Sequence, residues 1–267
     1  MASSSLAPGR APASRTDTAL RVLAPLVVGA AGLGLWQFIV SVIGVSDYLL
    51  PSPAAIGAQF VAFAPSILSA SIMTGLNSLI GLVAGTLLAV TTAALAAASR
   101  PVDAMSASVV AGLAVIPIVA TAPVLNTMFG ADSQFSRQVI AGLASFVPVF
   151  INTLRGLRQT RPVHRDLMRV YAATPLQVLR TVTLPTAGPY AFTGVRIASS
   201  LAVISALVAE YFGGPRGGLG GLISTSAASS AYPRAWAYVA ASIILGLAFY
   251  LIALALEHLS GRRMGAR

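Results

Sequence analysis

The sequence has no cysteine, no lysine and few charged residues, and each absence excludes a class of chemistry. Without cysteine there is no disulfide framework, no thiolate metal site and no cysteine nucleophile. Without lysine there is no Walker-type G-x4-G-K-[ST] loop, so we expect the chain to bind no ATP. Only 9% of the 267 residues are charged and 56% are hydrophobic, which argues against a soluble domain. The net charge of +10 lies among apolar runs, which argues against nucleic-acid binding.

Six apolar segments dominate the chain. A helix needs about 20 apolar residues to cross a bilayer, and charged ends can lie among the lipid headgroups. Pro117 and Pro123 predict an irregular third span, because each would kink a helix. Residues 1–20 are predicted to be a disordered tail and residues 261–267 a basic tail, and the two prolines in 49–60 predict an extended or interfacial connector without a regular helix. We therefore predict an all-α polytopic membrane protein with six spans, at 22–45, 67–98, 105–128, 137–156, 190–212 and 235–257.

The arginines predict the orientation of these spans, because basic residues accumulate in cytoplasmic loops. With six spans, 14 of the 17 arginines fall on the side of the two termini and three on the other. Both termini are therefore predicted to be cytoplasmic.

The longest polar segment, residues 157–189, separates the fourth and fifth spans. Its arginines at 158, 161, 165 and 169 predict one face of a short helix. After a turn at 172–173, the sequence TPLQ (174–177) is typical of a capped second helix, which we expect to end at 184–185. Two interpretations fit this helix–turn–helix. It is a solvated connector that contacts anionic lipid headgroups, or a knob that enters a groove on a partner protein.

The spacing within this segment resembles the EAA loop of the inner-membrane permease subunits of ATP-binding-cassette importers. That loop reads E-A-A, three residues, G, nine residues, I-x-L-P. Counted back from Leu184-Pro185, the matching positions hold Val182, Ala172 and Asp166-Leu167-Met168. The resemblance also covers LLPSP (49–53), IPIVATAPVLNTMFG (116–130) and VAEYFGGPRGGLGGLI (208–223). These segments are similar to the sulfonate, nitrate and taurine branch of the family, which includes importers of vitamin precursors.

The resemblance implies a homodimer of this chain in a bacterial inner membrane. It also implies a cytoplasmic ATPase dimer, which would use the ATP and magnesium, and a periplasmic or lipid-anchored substrate-binding protein. This chain would hold no cofactor or metal. Its loop would couple ATPase closure to movement of the spans between inward-open and outward-open states. Ala172 at the glycine position predicts a reshaped turn, because alanine disfavours a left-handed backbone. The residues implied in coupling are Asp166, Arg169, Ala172, Ala173, Thr174 and Pro175.

Polar side chains inside the spans are candidates for a translocation path, because exposing them to lipid is costly. The alternative for each is a hydrogen bond between helices without solute contact. We assign Glu210 a structural role at the external gate, where Arg234 or Arg216 would pair with it. The path candidates are Asn77, Ser78, Asn126, Ser199 and Ser205.

Three further expectations concern packing and charge. Small residues recur every fourth position along 194–206, which makes this stripe a candidate dimer seam. The glycine-rich segment 213–221 is expected to be a flexible external loop. Arg137 is expected outside the core, together with Arg216 and Arg234. A path without a buried cation fits a sulfonate-, nitrate- or taurine-like anion less well than a pyrimidine-type vitamin precursor or riboflavin.

An ion-gradient-driven secondary transporter is the main alternative, since six spans with buried asparagines and one carboxylate could form half of such a carrier. No inverted repeat supports it. An intramembrane hydrolase would need a serine–histidine pair or metal ligands inside the bundle, whereas His164 and His258 lie at its edges. A purely structural scaffold would leave the spacing of the polar loop unexplained.

Overall fold

The computed structural model describes residues 15–130, 133–213 and 217–265, and no strand occurs among them. Helices suit a chain this apolar, because in a bilayer each helix satisfies its own backbone hydrogen bonds. The chain divides into two compact units, Met1–Gly57 and Ala58–Arg267. The helices are α1 (Arg15–Ile43), α2 (Pro53–Ala62), α3 (Ala64–Ala98), α4 (Arg100–Val115), α5 (Ile118–Phe129), α6 (Phe135–Arg158), α7 (Pro162–Val170), α8 (Pro175–Val178), α9 (Leu184–Tyr211), α10 (Leu219–Ala228) and α11 (Tyr232–Gly265), with a π-helical turn (Leu179–Thr183) between α8 and α9.

The expectation that residues 49–60 lack a regular helix is wrong, because Pro53 begins α2, while an interfacial position of this segment stays a prediction. Proline is tolerated at the first helical position, where its missing N–H would have had no partner within the helix. The Ser52 hydroxyl accepts a hydrogen bond from the Ala55 amide at 3.1 Å and so caps the helix start.

The all-helical, polytopic architecture is confirmed. Among the described residues, five helical segments are long and apolar enough to cross a membrane. The predicted irregularity near Pro117 is also present, because α4 and α5 together pass the same test but meet at a bend of 101° there. The five straight segments are Leu23–Ile43, Ala64–Ala98, Phe135–Arg158, Pro175–Tyr211 and Tyr232–Ser260.

Helix α6 packs against both α3 and α9, and glycines permit the close approach. A Cβ atom on Gly85 of α3 would overlap the carbonyl oxygen of Gly142 on α6. A Cβ atom on Gly194 of α9 would lie 3.0 Å from the Cα atom of Val149 on α6. The small residues along 194–206 are therefore buried within one chain, and their assignment as a dimer seam is wrong.

The described contacts define two ends of the helical bundle in the second unit. Asp103 in the first turn of α4 pairs with Arg158 in the last turn of α6 at 2.6 Å. At the opposite end, Asn126 on α5 donates a hydrogen bond to the Ala209 carbonyl on α9 at 3.3 Å. We call the first the loop end, because α7 follows Arg158, and the second the far end.

The sequence had suggested that the second helix of the polar segment ends at Leu184 and Pro185, but the structure shows no end there. It continues through the π-helical turn into α9, so that one helical segment runs over Pro175–Tyr211. Pro185 has no amide hydrogen to donate, and the wider turn before it changes the hydrogen-bonding pattern there. The Thr181 hydroxyl satisfies the Gln177 carbonyl at 2.6 Å.

The crowding at Gly85 gives opposite expectations for the same substitution at two glycines. Gly85→Ala should destabilise the protein, because overpacking a tight helix contact costs about 1–3 kcal/mol. Gly112→Ala should stabilise it by up to about 1 kcal/mol, because alanine favours the helix and no atom lies within 4 Å of the new methyl group. Thermal unfolding in detergent measures both. A Gly85→Ala variant as stable as Gly112→Ala would contradict this helix contact.

Candidate functional site

Two features stand out in the second unit, and the first is the polar segment at the loop end. The sequence had suggested that its four arginines share one helical face, but in the structure they do not. Arg158 ends α6, and Arg161 is extended at φ −61° and ψ 138° because it precedes Pro162. Only Arg165 and Arg169 lie within α7. We call residues 162–183, which comprise α7, the turn, α8 and the π-helical turn, the loop unit.

The turn after α7 has the hydrogen bonds of a Schellman motif. The Ala172 amide donates to the Arg169 carbonyl at 2.9 Å, and the Ala173 amide donates to the Met168 carbonyl at 3.0 Å. Ala172 has a φ of 49°, the left-handed conformation that usually requires glycine. The expectation of a reshaped turn is therefore wrong, because Ala172 adopts the strained backbone that this motif requires.

The start of α8 confirms the predicted capping box. The Thr174 amide donates to Gln177 Oε1 at 2.7 Å, and the Gln177 amide donates to the Thr174 hydroxyl at 3.4 Å. Pro175 occupies the first turn of α8, as its position after the capping residue predicts. The chain direction therefore changes through two closely spaced, locally stabilised elements.

The loop unit projects an exposed surface of mixed character. Asp166 and Arg169 form an exposed pair on α7 at 3.1 Å. Val170 is 83% exposed, the largest exposed fraction among the large hydrophobic side chains that the structure describes. Other exposed apolar side chains of the unit are Val163, Leu167, Tyr171, Leu176 and Leu179. Apolar side chains on a short exposed helix are typical of a docking element.

The second feature is a buried polar cluster at the far end, which includes Glu210. Its carboxylate is 1% exposed, and Oε2 accepts hydrogen bonds from the Thr74 hydroxyl at 2.8 Å and the Gly220 amide at 3.1 Å. Its expected pairing with Arg234 or Arg216 is not observed. Arg234 stacks on the Phe63 ring, with 4.0 Å between its Cζ atom and the ring centroid, and Arg216 lies outside the described residues.

Amide side chains extend this polar cluster across α3 and α6. Asn77 donates to Gln134 Oε1 at 2.7 Å and accepts from Gln138 at 3.2 Å. Arg137 also donates to Gln134 Oε1, and its charge acts on Glu210. Because Arg137 is fully buried, the expectation that it lies outside the core is wrong. We call Thr74, Asn77, Gln134, Arg137, Gln138 and Glu210 the polar cluster.

The remaining path candidates are buried but do not all join this cluster. The Ser78 hydroxyl donates to the Thr74 carbonyl at 2.7 Å, and Asn126 accepts from the Ser136 hydroxyl at 2.6 Å. Ser199 donates to the Arg196 carbonyl at 2.7 Å, and Ser205 is 2% exposed. Asn77, Ser78 and Asn126 thus lie near the far end, whereas Ser199 bonds within its own helix.

The glycine-rich segment 213–221 is not a loop throughout. Leu219 begins α10, and Gly220 and Gly221 are buried within it. The Leu219 amide donates to the Thr74 hydroxyl at 2.9 Å, so the first amides of α10 contact the polar cluster. Positions 214–216 lie outside the described residues.

A family model described as "binding-protein-dependent transport system inner membrane component" matches residues 81–266, which include the loop unit. The chain belongs to this family. It is a multi-pass permease subunit of an ATP-binding-cassette importer in the bacterial inner membrane. Such subunits carry out transport, and the family implies partnership with an ATPase and a substrate-binding protein.

Known proteins show the same relationship along most of the permease. A probable ABC transporter permease of Haemophilus influenzae is 32% identical over 74% of this chain and 80% of its own length. The riboflavin transport system permease RibX of Chloroflexus aurantiacus is 31% identical over 85% of each chain. A crystal structure of an amino acid ABC transporter with histidines matches 76% of this chain and 96% of its own with a TM-score of 0.59. At 17% identity, that match supports the fold alone.

The sequence analysis missed most of the polar cluster. A signal was present, because Arg137 and Gln138 follow Gln134 by three and four residues, the separations that bring side chains together on a helix. Thr74 and Asn77 are likewise three residues apart on α3. Polar positions within apolar segments can be identified from the sequence, but their partners on other helices depend on how the helices pack.

The left-handed backbone conformation of Ala172 can be tested by substitution. Ala172→Gly should stabilise the loop unit by about 1 kcal/mol, because glycine adopts a positive φ without steric strain. Ala173→Gly should not, because no positive φ occurs there and glycine adds freedom to the unfolded chain. Trypsin cleavage after Arg165 and Arg169 reports local opening of α7. Faster cleavage in Ala172→Gly than in the unsubstituted protein would contradict the Schellman turn.

Proposed function

We propose that two copies of this permease form the translocation path for a riboflavin-like or pyrimidine-type vitamin precursor, and that the loop unit docks the ATPase. The main supporting observation is the geometry of the loop unit. An exposed, capped helix pair leads without a break into α9, a helix long enough to cross the membrane. An element of this kind can transmit the movement of a soluble partner to the helical bundle.

The two ends of the bundle support a six-span topology with cytoplasmic termini. The Asp103–Arg158 pair places the start of α4 beside the end of α6, and the Asn126–Ala209 hydrogen bond places the end of α5 at the far end. The α4–α5 pair therefore connects the two ends, as a broken third span would. Arginine-rich segments then lie at the loop end, in agreement with the positive-inside rule.

The coupling role is proposed for Asp166, Arg169, Ala172, Ala173, Thr174 and Pro175. These residues have two functions in the proposal. The last four set the angle between α7 and α8 through the Schellman turn and the capping box. Asp166 and Arg169 instead present charge beside the exposed Val170. A groove on the ATPase would thus receive apolar side chains flanked by an ion pair.

The path is proposed to pass the far-end polar groups, with Asn77, Ser78 and Asn126 near its external mouth and Ser199 and Ser205 deeper. Hydrogen bonds between helices already occupy Asn77 and Asn126, so a solute would exchange with these bonds rather than meet free groups. Glu210 is proposed to act structurally at the external gate.

The solute class is supported by the similarity to the riboflavin permease over 85% of each chain. A sulfonate-, nitrate- or taurine-like anion is the second candidate, and the buried Arg137 favours it. A buried guanidinium can bind a carboxylate or sulfonate oxygen, although Glu210 offsets its charge here. Uptake assays with radiolabelled riboflavin, a pyrimidine precursor and taurine would distinguish these classes.

The partners follow from the same proposal. A cytoplasmic ATPase dimer hydrolyses ATP with magnesium, this chain binds neither, and an external binding protein delivers the solute. The arginines near the loop end contact anionic lipid headgroups, where each basic residue contributes about 1 kcal/mol.

Charge on the exposed face of the loop unit tests the docking role. Val170→Glu should reduce the amount of ATPase that co-purifies in mild detergent by at least about tenfold, because docking would bury an unpaired carboxylate. Folding should persist, because Val170 is 83% exposed. His258→Glu, which adds the same group on an exposed position of α11, is the matched control. Equal recovery of ATPase with Val170→Glu and His258→Glu would refute docking at this face. No ATPase with the unsubstituted chain would instead favour ion-gradient-driven transport.

A further inference from the structure

Building on the proposed importer function, we infer that Thr74 and Glu210 are positioning residues that hold α10 closed over the far end and release it once in each transport cycle. We call these two residues, with the first amides of α10, the latch. In this inference Glu210 holds the start of α10 through hydrogen bonds, and Arg137 is an alternative partner for its carboxylate.

The latch is a closed chain of hydrogen bonds across three helices. The Leu219 amide donates to the Thr74 hydroxyl at 2.9 Å, and that hydroxyl donates to Glu210 Oε2 at 2.8 Å. The Gly220 amide donates to the same oxygen at 3.1 Å. Because the N-terminus of a helix carries a partial positive charge, the carboxylate also stabilises α10 electrostatically. The hydroxyl of Thr74 is therefore central, since it links α3 to both other helices.

The start of α10 is packed tightly against α9. A Cβ atom on Gly218 would overlap the Glu210 carboxyl group, and one on Gly220 would overlap the Leu207 carbonyl oxygen. Tightly packed contacts of this kind tend to switch between discrete arrangements instead of deforming gradually. α10 is thus expected to be either seated or released.

Glu210 has a second set of potential partners in the polar cluster. Its other oxygen, Oε1, is buried, and Asn77 on α3 acts on the same carboxyl group. Arg137 acts electrostatically on the same carboxylate from α6. If Glu210 moved toward Arg137, its carboxylate would lose the hydrogen bond from the first amides of α10 and would gain one from the charged guanidinium group. A carboxylate between two alternative sets of partners is suited to a two-state element.

The position of Glu210 connects this switch to the loop unit. The helical segment that begins at Pro175 ends at Tyr211, one residue after Glu210. Its 37 residues correspond to about 55 Å at 1.5 Å per residue. A shift of the loop unit would therefore move the carboxylate relative to Thr74 on α3.

The absence of cysteine from the chain permits a direct test. A Cβ atom on Gly217 would lie 2.8 Å from the thioether of Met73, so Met73→Cys with Gly217→Cys should form a disulfide when α10 is seated, and both Thr74 and Glu210 stay in place. The double variant is purified with its co-purifying ATPase in lipid nanodiscs. Disulfide yield under mild oxidation is compared without nucleotide and after trapping with ATP and vanadate. We expect the trapped state to lower the yield by about fivefold or more, because α10 is released in that state.

Two measurements control for a merely structural role. Met73→Cys alone and Gly217→Cys alone should give no disulfide within the chain in either state, so that the signal requires both positions. Thr74→Val keeps the side-chain shape but removes the hydroxyl. It should raise ATP hydrolysis without binding protein by about threefold, and Thr74→Ser should restore the basal rate.

The outcomes separate this inference from the proposed function. Equal disulfide yields at 73 and 217 in both nucleotide states, with the ATPase bound, would overturn the latch and leave the importer function intact. Basal hydrolysis in Thr74→Val equal to that of Thr74→Ser would also overturn it. An unsubstituted chain that retains no ATPase would overturn the proposed docking function first, and the latch with it.

Discussion

The close contact of α6 with α3 and α9 is the interaction on which the rest of this permease depends. Gly85 and Gly142 allow α3 and α6 to meet through their backbones, and Gly194 does the same for α9 and α6. In lipid, dispersion forces and hydrogen bonds hold helices together, so small residues that permit close approach are worth more than large apolar ones. This contact brings Thr74, Arg137 and Glu210 from three helices to one site. It also fixes the direction in which α9 leaves the loop unit.

The continuous helix over Pro175–Tyr211 can transmit a displacement along its whole length, which a hinged loop could not do. A proline within a helix removes a backbone donor and usually kinks it. Here the π-helical turn precedes Pro185, and Thr181 and Thr186 donate to carbonyls at 2.6 and 2.7 Å. The helix therefore remains continuous and can transmit displacement. Arg196 and Thr193 attach the same helix to Glu257 on α11, at 3.2 and 2.7 Å, so that the two helices are expected to move together.

Sequence reasoning succeeded where a short pattern determines local structure. The capping box at Thr174 and Gln177 and the break near Pro117 depend on neighbouring residues alone. It failed where a residue's role depends on another helix. Arg137 looked like a loop residue because it lies near the end of an apolar run, yet packing buries it. The stripe along 194–206 could equally have faced a second chain, and only the position of α6 decides that it faces inward. The coupling and path assignments remain predictions.

The charged pair of the polar cluster is not arranged for maximal stability. Arg137 lies in the first turn of α6 and Glu210 in the last turn of α9, so each charge opposes the dipole of its own helix. Burial adds a desolvation cost for each of the two charges. Apolar residues of similar size would pack at these positions without either cost. The favourable dipole at Glu210 comes instead from α10, a separate short helix whose first amides donate two of the described hydrogen bonds to Thr74 and Glu210. A carboxylate that shares its hydrogen bonds between α3 and a separate short helix is better suited to switching than to holding the bundle together.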